Sequence, residues 1–267
     1  MFVRTTSRTP LSSFEMHQVA ATGFNLQVEA YAKTRPSYPE TALRKIEEIV
    51  PQGAQVLDLA AGPGVMTQLL VASGYRVTAV EPVENMRKKL IELLPGVPCH
   101  EGTAQNIPLP SESQDAVVIA QAFHWFDDIE SLKEVHRVLK PQGCIILIWN
   151  MESPRSKWVA KLRQIYERYS DSVPQYFKGG WKKVFETEQA NALYDLPLKY
   201  TVLSNDFPAD KDTVWSRITT KSYIAVVSED EREKLRQEIF AVLEDPEYGF
   251  DGIYPHETDL YWASKRA

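Results

Sequence analysis

Short apolar runs alternate with segments of helical period between residues 40 and 149 of this chain. The apolar runs predict strands at residues 55–59, 75–80, 116–120 and 144–149. Apolar positions three or four residues apart predict helices at residues 65–73, 84–94 and 129–139. The uninterrupted run at 116–120 is typical of a parallel sheet that is buried on both faces. The alternation therefore predicts an α/β fold: a Rossmann-like, doubly wound, mostly parallel sheet.

The pattern changes after residue 150. Helical periods at residues 155–169, 211–223 and 228–243 predict a helical cap over the carboxyl edge of the sheet, where ligands bind in open α/β folds. Strand-like pieces at 199–203 and 259–263 predict antiparallel C-terminal edge strands. We therefore divide one single domain into an N-terminal tail and lid (1–30), a cofactor-binding core (31–150), a helical cap and substrate region with an added strand (151–257), and a final edge strand (258–267).

Composition restricts the class of protein. The 267 residues are 43% hydrophobic and 25% charged, which is typical of an ordinary globular protein, and the net charge of -6 argues against nucleic acid as the main partner. Cys99 and Cys144 lie far apart, which favours a reducing, cytoplasmic location over a disulfide framework. No apolar run is long enough for a membrane span, and no histidine pair has metal-ligand spacing, so we expect neither membrane nor metal binding. Residues 1–13 look like a loose tail, with a transit peptide as the alternative.

A glycine loop follows the first predicted strand. Gly62 and Gly64 permit a tight turn and a close approach of ligand to backbone before the next helix begins. Many strand-to-helix turns carry such glycines for structural reasons alone. However, Glu81 at the end of the next strand is placed to accept hydrogen bonds from both hydroxyls of a ribose. The combination predicts a nucleoside site.

Two residues bear on the identity of the nucleoside cofactor. The dinucleotide fingerprint requires glycine or alanine where this chain has Thr67. Asp58 stands near the end of the strand, where nicotinamide enzymes typically have an apolar residue, and its carboxylate can act on a cationic amino group. S-adenosylmethionine carries an ammonium and a sulfonium but no pyrophosphate, so the residues favour it over NAD(P).

Several segments resemble a known family. L-D-L-A-A-G-P-G (57–64), A-V-E-P-V-E-N-M (79–86) and D-A-V-V-I-A-Q-A-F-H-W-F (115–126) resemble class I S-adenosylmethionine-dependent methyltransferases of the type 11 small-molecule branch. Y-A-K-T-R-P-S-Y-P (31–39) and T-D-L-Y-W-A-S-K (258–265) are similar to its trans-aconitate methyltransferase-like subgroup. The resemblance implies transfer of a methyl group to a small molecule, with S-adenosylhomocysteine as the product. A nicotinamide-dependent reductase and a cofactor-binding sensor or assembly subunit without turnover remain the alternatives.

The resemblance also implies positions for the cofactor. Gly62 and Gly64 would flank the methionine moiety, Met86 would pack on the adenine, and the backbone of Ala104 would meet the adenine amine. The departures from the family pattern are Thr103, where many relatives have Asp, and alanines in place of a common Gly-Cys pair. The full set of predicted cofactor residues is Tyr31, Arg35, Asp58, Ala60, Gly62, Gly64, Glu81, Met86, Thr103, Ala104 and Gln121.

The acceptor is predicted to lie beside residues that follow the later strands. His124 would orient the acceptor or take a proton from it; alternatively it caps the following helix while its neighbours Trp125 and Phe126 form pocket wall. Trp149 and Asn150 would face the same cleft, with simple packing as the alternative for Trp149. Because methyl transfer needs in-line approach, positioning can supply most of the rate. We expect oxygen as the first choice of acceptor atom, then sulfur or nitrogen, in a monomer or homodimer.

Long cationic side chains in the cap add a further expectation. Arg155, Arg217 and Lys221 could anchor an acidic acceptor, but exposed surface side chains are the simpler interpretation of all three.

Overall fold

Helices and strands alternate along the first half of the chain, in a computed structural model that describes residues 37–170 and 173–266. In chain order the elements are α1 (Glu40–Ile49), β1 (Gln55–Leu59), α2 (Val65–Ala72), β2 (Arg76–Val80), α3 (Glu84–Leu93), β3 (Cys99–His100), β4 (Gln114–Ala120), α4 (Ile129–Val138), β5 (Leu139–Glu152), α5 (Lys157–Tyr166), α6 (Glu188–Leu193), β6 (Lys199–Ser204), β7 (Phe207–Pro208), α7 (Lys211–Thr219), α8 (Ser222–Ala225), α9 (Glu229–Glu244), β8 (Ile253–Tyr254) and β9 (His256–Ser264).

The main sheet has the strand order β3-β2-β1-β4-β5-β9-β6. Strands β1 to β5 run parallel to one another, whereas β9 pairs antiparallel with both β5 and β6. The predicted mostly parallel sheet with antiparallel C-terminal strands is confirmed. The prediction that residues 258–267 form an edge is wrong, because β9 lies between two strands and β6 forms the edge. The strand order reverses between β1 and β4, which is the point where α/β sheets bind ligands.

The two faces of the sheet build two core layers from alternating residues. On β1, Val56 packs with Ile46 of α1 and Met66 of α2 on one face. Leu57 packs on the other face with Leu132 of α4. Neighbouring side chains of a strand point to opposite faces, so one apolar run serves both layers. This burial on both faces explains the continuous apolar run that predicted the parallel sheet.

Strand β5 begins earlier than the sequence predicts. The sequence predicts this strand from residue 144, but it extends back to Leu139. The pairing of β4 with β5 shifts register between Gln114 and Ala116, and Gln142 has a φ of 65°. Residues 139–143 therefore form an irregular beginning of the strand.

The predicted cap is present and has a core of its own. Trp158 of α5, Ile218 of α7, Leu235 of α9 and Tyr254 of β8 belong to one buried cluster, against which Trp125 of the Rossmann-like half also packs. The helix predicted at 211–223 is divided into α7 and α8. Within the described ranges, no helix is both long and apolar enough to cross a membrane.

Candidate cofactor and acceptor site

The loop after β1 contains three left-handed residues, Ala60 (φ 59°), Gly62 (57°) and Gly64 (93°). The amides of Ala60 and Ala61 both donate to the Val80 carbonyl, at 2.8 and 3.2 Å, which ties the loop to the end of β2. A Cβ on Gly62 would meet nothing within 4 Å, whereas one on Gly64 would lie 3.0 Å from Leu90 Cγ. Gly64 is thus needed for helix packing, and Gly62 borders open space.

Glu81 binds the same loop through its carboxylate. Its Oε2 accepts the Gly62 amide at 2.9 Å, and its Oε1 accepts the Val83 amide at 2.8 Å. The residue is only 5% exposed, and this burial raises the pKa of Glu81 against the opposing effect of the two backbone hydrogen bonds. Each carboxylate oxygen has a second lone pair, so Glu81 can accept further hydrogen bonds from hydroxyl groups.

Asp58 is a fully buried carboxyl group one residue before the end of β1. Its Oδ2 accepts the Thr67 hydroxyl at 2.6 Å, while its Oδ1 has no hydrogen-bond partner among the described residues. Burial raises the pKa of Asp58 to about 7. In the sequence, Thr67 argues only against a dinucleotide cofactor. The hydrogen bond from Thr67 to Asp58 was not predicted.

The residues predicted to contact the adenine lie in the segments that follow β2 and β3 in the chain. Met86 on α3 and Ala104 are buried. The backbone of Thr103 exchanges hydrogen bonds with that of Asn106, at 3.3 and 3.1 Å. Gly102 is closely packed, since a Cβ there would lie 2.6 Å from Pro108 Cδ. Contact of Met86, Thr103 and Ala104 with a nucleobase stays a prediction.

Two cavities open at the carboxyl edge of the sheet. The first, here called the cofactor cavity, is bordered by Tyr38 and residues 60–63 of the glycine loop. The second, the acceptor cavity, lies between the segment after β4 and the cap. Both cavities are lined by Gln121, Asn150 and Arg217, so they share one wall.

Hydrogen bonds hold the polar residues of this shared wall in place. Gln121 has a φ of 60°, and its Nε2 donates to the Asn150 carbonyl at 3.1 Å. Asn150 accepts the Thr258 hydroxyl at 2.5 Å and donates to the Ser37 carbonyl at 3.3 Å. The side chains between the cavities are therefore positioned by the sheet rather than by a loose loop.

His124 lies in a short 3₁₀ turn after β4, lines the acceptor cavity and is 8% exposed. The indole N–H of Trp149 donates to its Nδ1 at 3.3 Å. This bond makes Nδ1 an acceptor, so a neutral His124 carries its proton on Nε2. The alternative capping role is not observed, because the Asp128 side chain caps α4 by accepting the Ser131 amide at 2.7 Å.

Of the two residues that follow His124, one lines the wall of the acceptor cavity and the other lies in the core of the sheet. Trp125 lines the acceptor cavity, whereas Phe126 is buried in the sheet core. Trp149 is fully buried and stacks on Tyr176 with ring centroids 4.4 Å apart. Trp149 thus supports two wall residues, His124 and Tyr176, from behind.

A buried charge cluster borders the acceptor cavity. Oε1 of Glu152 lies 3.2 Å from Arg217 Nη2 and 2.8 Å from Lys221 Nζ. Burial alone would raise the pKa of Glu152, but the neighbouring cations hold it well below its usual value. Burial also lowers the pKa of His256, whose Nε2 is 3.9 Å from the same oxygen, to about 4.

The structure corrects the interpretation of the cap cations as surface residues. Arg217 and Lys221 are 3% and 7% exposed and line the acceptor cavity. For Arg155 the surface interpretation is confirmed, because this residue is exposed and forms an ion pair with Asp206. Glu152 was not predicted as a site residue, although a carboxylate at the end of an apolar strand can indicate a site at that edge of the sheet.

Tyr31 and Arg35, two of the predicted cofactor residues, lie outside the described residues. Within the described ranges, no group of three or more His, Cys, Asp or Glu side chains is arranged to hold a metal ion.

Comparison with known proteins gives consistent matches. Residues 57–147 match the family model described as a methyltransferase domain. An uncharacterized methyltransferase of Mycobacterium tuberculosis is 44% identical over 151 residues, 56% of this chain and 61% of that protein. The chain thus spans less than two thirds of that relative. An uncharacterized methyltransferase-like protein of Schizosaccharomyces pombe is 31% identical over 225 residues, 83% of this chain and 86% of that protein.

A solved structure supports the fold. The phosphoethanolamine N-methyltransferase 2 of Haemonchus contortus, in complex with S-adenosyl-L-methionine, superposes with a TM-score of 0.54 at 14% identity. The match covers 96% of this chain and 60% of that one. At this identity the likeness concerns the fold alone.

Proposed function

Because this chain belongs to the class I S-adenosylmethionine-dependent methyltransferases, we propose that it transfers a methyl group to a small-molecule acceptor, with oxygen as the first choice of acceptor atom. The observation that carries the proposal is the shared wall. A cavity at the glycine loop and a cavity under the cap meet at Gln121, Asn150 and Arg217. Two reactants bound in adjoining cavities can meet in line, which is the main requirement of methyl transfer.

Gly62 in the wall of the cofactor cavity, and the nearby carboxyl groups of Glu81 and Asp58, fit S-adenosylmethionine. The open space at Gly62 leaves room for a ligand against the backbone. Glu81 has lone pairs for ribose hydroxyls, and the unsatisfied Oδ1 of Asp58 is a buried acceptor suited to a cationic amino group, directly or through water. Gly62, Glu81 and Asp58 would therefore hold the methionine and ribose parts.

When bound, S-adenosylmethionine supplies an electrophilic methyl group on its sulfonium. The contribution of the chain is to orient the acceptor and to exclude water. His124 carries its Nε2 proton because Nδ1 accepts from Trp149, so it is suited to donate a hydrogen bond to an acceptor oxygen. We therefore assign His124 an orienting role rather than that of a general base.

The enclosure of the acceptor cavity supports a small molecule over a macromolecule. Its walls come from both the segment after β4 and the cap, including Trp125, Tyr176 and Phe177. Aromatic walls with a few polar groups are typical of small-ligand sites. The net charge of -6 also disfavours nucleic acid as the acceptor.

Calorimetric titration with S-adenosylmethionine, S-adenosylhomocysteine and NADPH side by side tests the cofactor. We expect binding of the first two only. Binding of NADPH alone would overturn the proposal and direct the search to carbonyl reduction. Formation of S-adenosylhomocysteine with a panel of small acceptors, followed by mass spectrometry of the products, then tests turnover; cofactor binding without turnover on any panel member would favour a sensor or assembly subunit.

A further inference from the structure

Asp58 and Thr67 form a buried pair on either side of the glycine loop. Neither side chain is exposed, and the Thr67 hydroxyl donates to Asp58 Oδ2 at 2.6 Å. From this pairing we propose that Thr67 is a positioning residue for the cofactor: it holds one carboxylate oxygen of Asp58 and leaves the other, Oδ1, for the cationic amino group. The inference rests on the proposed function, since it adds a residue to the site proposed for S-adenosylmethionine.

The pair lies next to the wall of the cofactor cavity in the chain. Asp58 in β1 stands two residues before Ala60, and Thr67 in the first turn of α2 follows Met66 directly. Ala60 and Met66 both line the cofactor cavity. The hydrogen bond from Thr67 to Asp58 therefore connects β1 and α2 across the base of the loop that borders the proposed ligand.

The second oxygen of Asp58 is suited to a cationic donor. Oδ1 is buried and has no hydrogen-bond partner among residues 37–170 and 173–266. A buried acceptor without a partner is unfavourable, so a donor that reaches it, directly or through water, displaces no partner from the described residues. An ammonium group forms a charge-assisted hydrogen bond with a carboxylate, which is stronger than one between neutral groups.

Thr67 also affects the charge of Asp58. Burial raises the pKa of this carboxyl to about 7, the Thr67 hydrogen bond opposes the rise, and the negative charge of Glu81 adds to it. The hydroxyl thus keeps a larger fraction of Asp58 ionised near pH 7, and the ionised form is the one that attracts an ammonium group.

The other elements around Asp58 add little charge in the described part of the chain. Helix α2 contains no charged residue, and the buried residues of α1 are apolar. Asp58 pairs with Ala79 of β2 and Val118 of β4, which are also apolar. Cys99 of β3 is uncharged near pH 7, because burial raises the pKa of its thiol. Glu81 is therefore the titratable neighbour for which a pH experiment must control.

The first test compares two ligands on the unaltered protein by calorimetry. S-adenosylhomocysteine has the ammonium group, whereas 5′-methylthioadenosine keeps the adenine, ribose and sulfur but lacks the amino-acid part. Titration of Glu81 acts on both ligands through the ribose, so the ratio of their affinities isolates Asp58. As Asp58 ionises through pH 7, S-adenosylhomocysteine should gain about 3- to 10-fold over 5′-methylthioadenosine between pH 6 and pH 8. A constant ratio overturns the inference, while binding of both ligands leaves the proposed function standing.

Substitutions then separate positioning from packing. Thr67→Val removes the hydroxyl at nearly constant size, so it should weaken S-adenosylhomocysteine binding at pH 7 by about 3- to 10-fold and leave that of 5′-methylthioadenosine within about twofold. Thr67→Ser keeps the donor and should restore most of the loss. Thr219→Val, which removes a hydroxyl that donates to the Ser216 carbonyl outside both cavities, is the matched control and should change neither affinity.

A double substitution shows whether Thr67 acts through Asp58. In an Asp58→Asn protein, Thr67→Val should have no further effect on S-adenosylhomocysteine binding, because the charge that Thr67 positions is gone. If Thr67→Val does not fold, Thr67→Ala takes its place with the same expectation. Equal losses for the two ligands, or an undiminished effect of the Thr67 substitution in Asp58→Asn, overturn the inference. Failure of both ligands to bind the unaltered protein would instead contradict the proposed function.

Discussion

Glu81 allows the sharpest test of the proposed cofactor site, because its carboxylate holds the glycine loop in the structure and has a proposed role in binding ribose. Replacing it by Gln keeps the shape and one carbonyl acceptor but removes the charge. A hydrogen bond to a charged group contributes about 1.5–3 kcal/mol, so loss of the ribose contact should raise the Kd for S-adenosylhomocysteine by about 10- to 150-fold.

The structural role of Glu81 sets the choice of variant. Glu81→Ala would leave the amides of Gly62 and Val83 without their acceptor. A buried donor without a partner costs about 1–3 kcal/mol, and these two hydrogen bonds are only partly buried, so we expect a total loss of about 2–3 kcal/mol in unfolding free energy. Glu81→Gln should lose less, because its amide oxygen still accepts one of the two.

Calorimetry with S-adenosylhomocysteine and urea unfolding measure the two effects separately. Glu92→Gln is the control, since Glu92 is exposed and its ion pair among the described residues is with Lys89 at 3.1 Å, a surface contact that contributes little. It should change neither quantity. A folded Glu81→Gln protein that binds within twofold of wild type would refute the ribose-binding role of Glu81.

Other residues of the site yield further expectations. Gly62→Ala and Gly53→Ala both place a Cβ at positive φ in open space, so each should lower the unfolding free energy by about 1 kcal/mol. Only Gly62→Ala should also weaken cofactor binding. Equal cofactor affinities in the two variants would contradict a ligand at Gly62. Asp58 has a folded-state pKa of about 7, above an unfolded value of about 3.9, so the protonated carboxyl stabilises the fold and this contribution is lost as pH rises through that interval. Urea unfolding of wild type and Asp58→Asn should therefore show the variant gaining stability relative to wild type from pH 4 to pH 8. A difference in unfolding free energy that stays constant over this range would argue against the raised pKa. His124→Ala should lower turnover far more than cofactor affinity. Trp149→Phe, which replaces the indole by a phenyl ring and so removes the donor to His124, should lower kcat by about 2- to 10-fold. Unchanged rates in both variants would return His124 to a packing role.

The sheet and the glycine loop could be predicted because local signals agree with the tertiary structure there. The boundaries of β1 match the predicted ones at both ends, since a buried parallel strand must be apolar on both faces. Gly62 and Glu81 could be placed together from the sequence, because a tight strand-to-helix turn favours glycine and the ends of neighbouring parallel strands lie side by side; their contact with a cofactor stays a prediction.

Other features depend on contacts between distant parts of the chain. The partnership of Asp58 with Thr67 requires the first turn of α2 to fold back on β1. The burial of Arg217 and Lys221 depends on Glu152, which lies 65 and 69 residues earlier in the chain, respectively. Long cationic side chains are usually exposed, so only the tertiary structure reveals that a carboxylate keeps these two inside.

The place of β9 between β5 and β6 has a consequence for synthesis of the protein. Lys265 donates to the Leu139 carbonyl, 126 residues earlier in the chain, and the part of β5 from Cys144 to Glu152 pairs with β9. On the ribosome, β5 therefore emerges long before its partner and has an unpaired edge until residues 256–264 follow. Contacts of such separation slow folding, and unpaired strand edges invite association between chains. A truncation before His256 would thus leave β5 with an open edge and β6 without the strand that pairs it with the sheet, so the sheet is complete only when residues 256–264 have been synthesised.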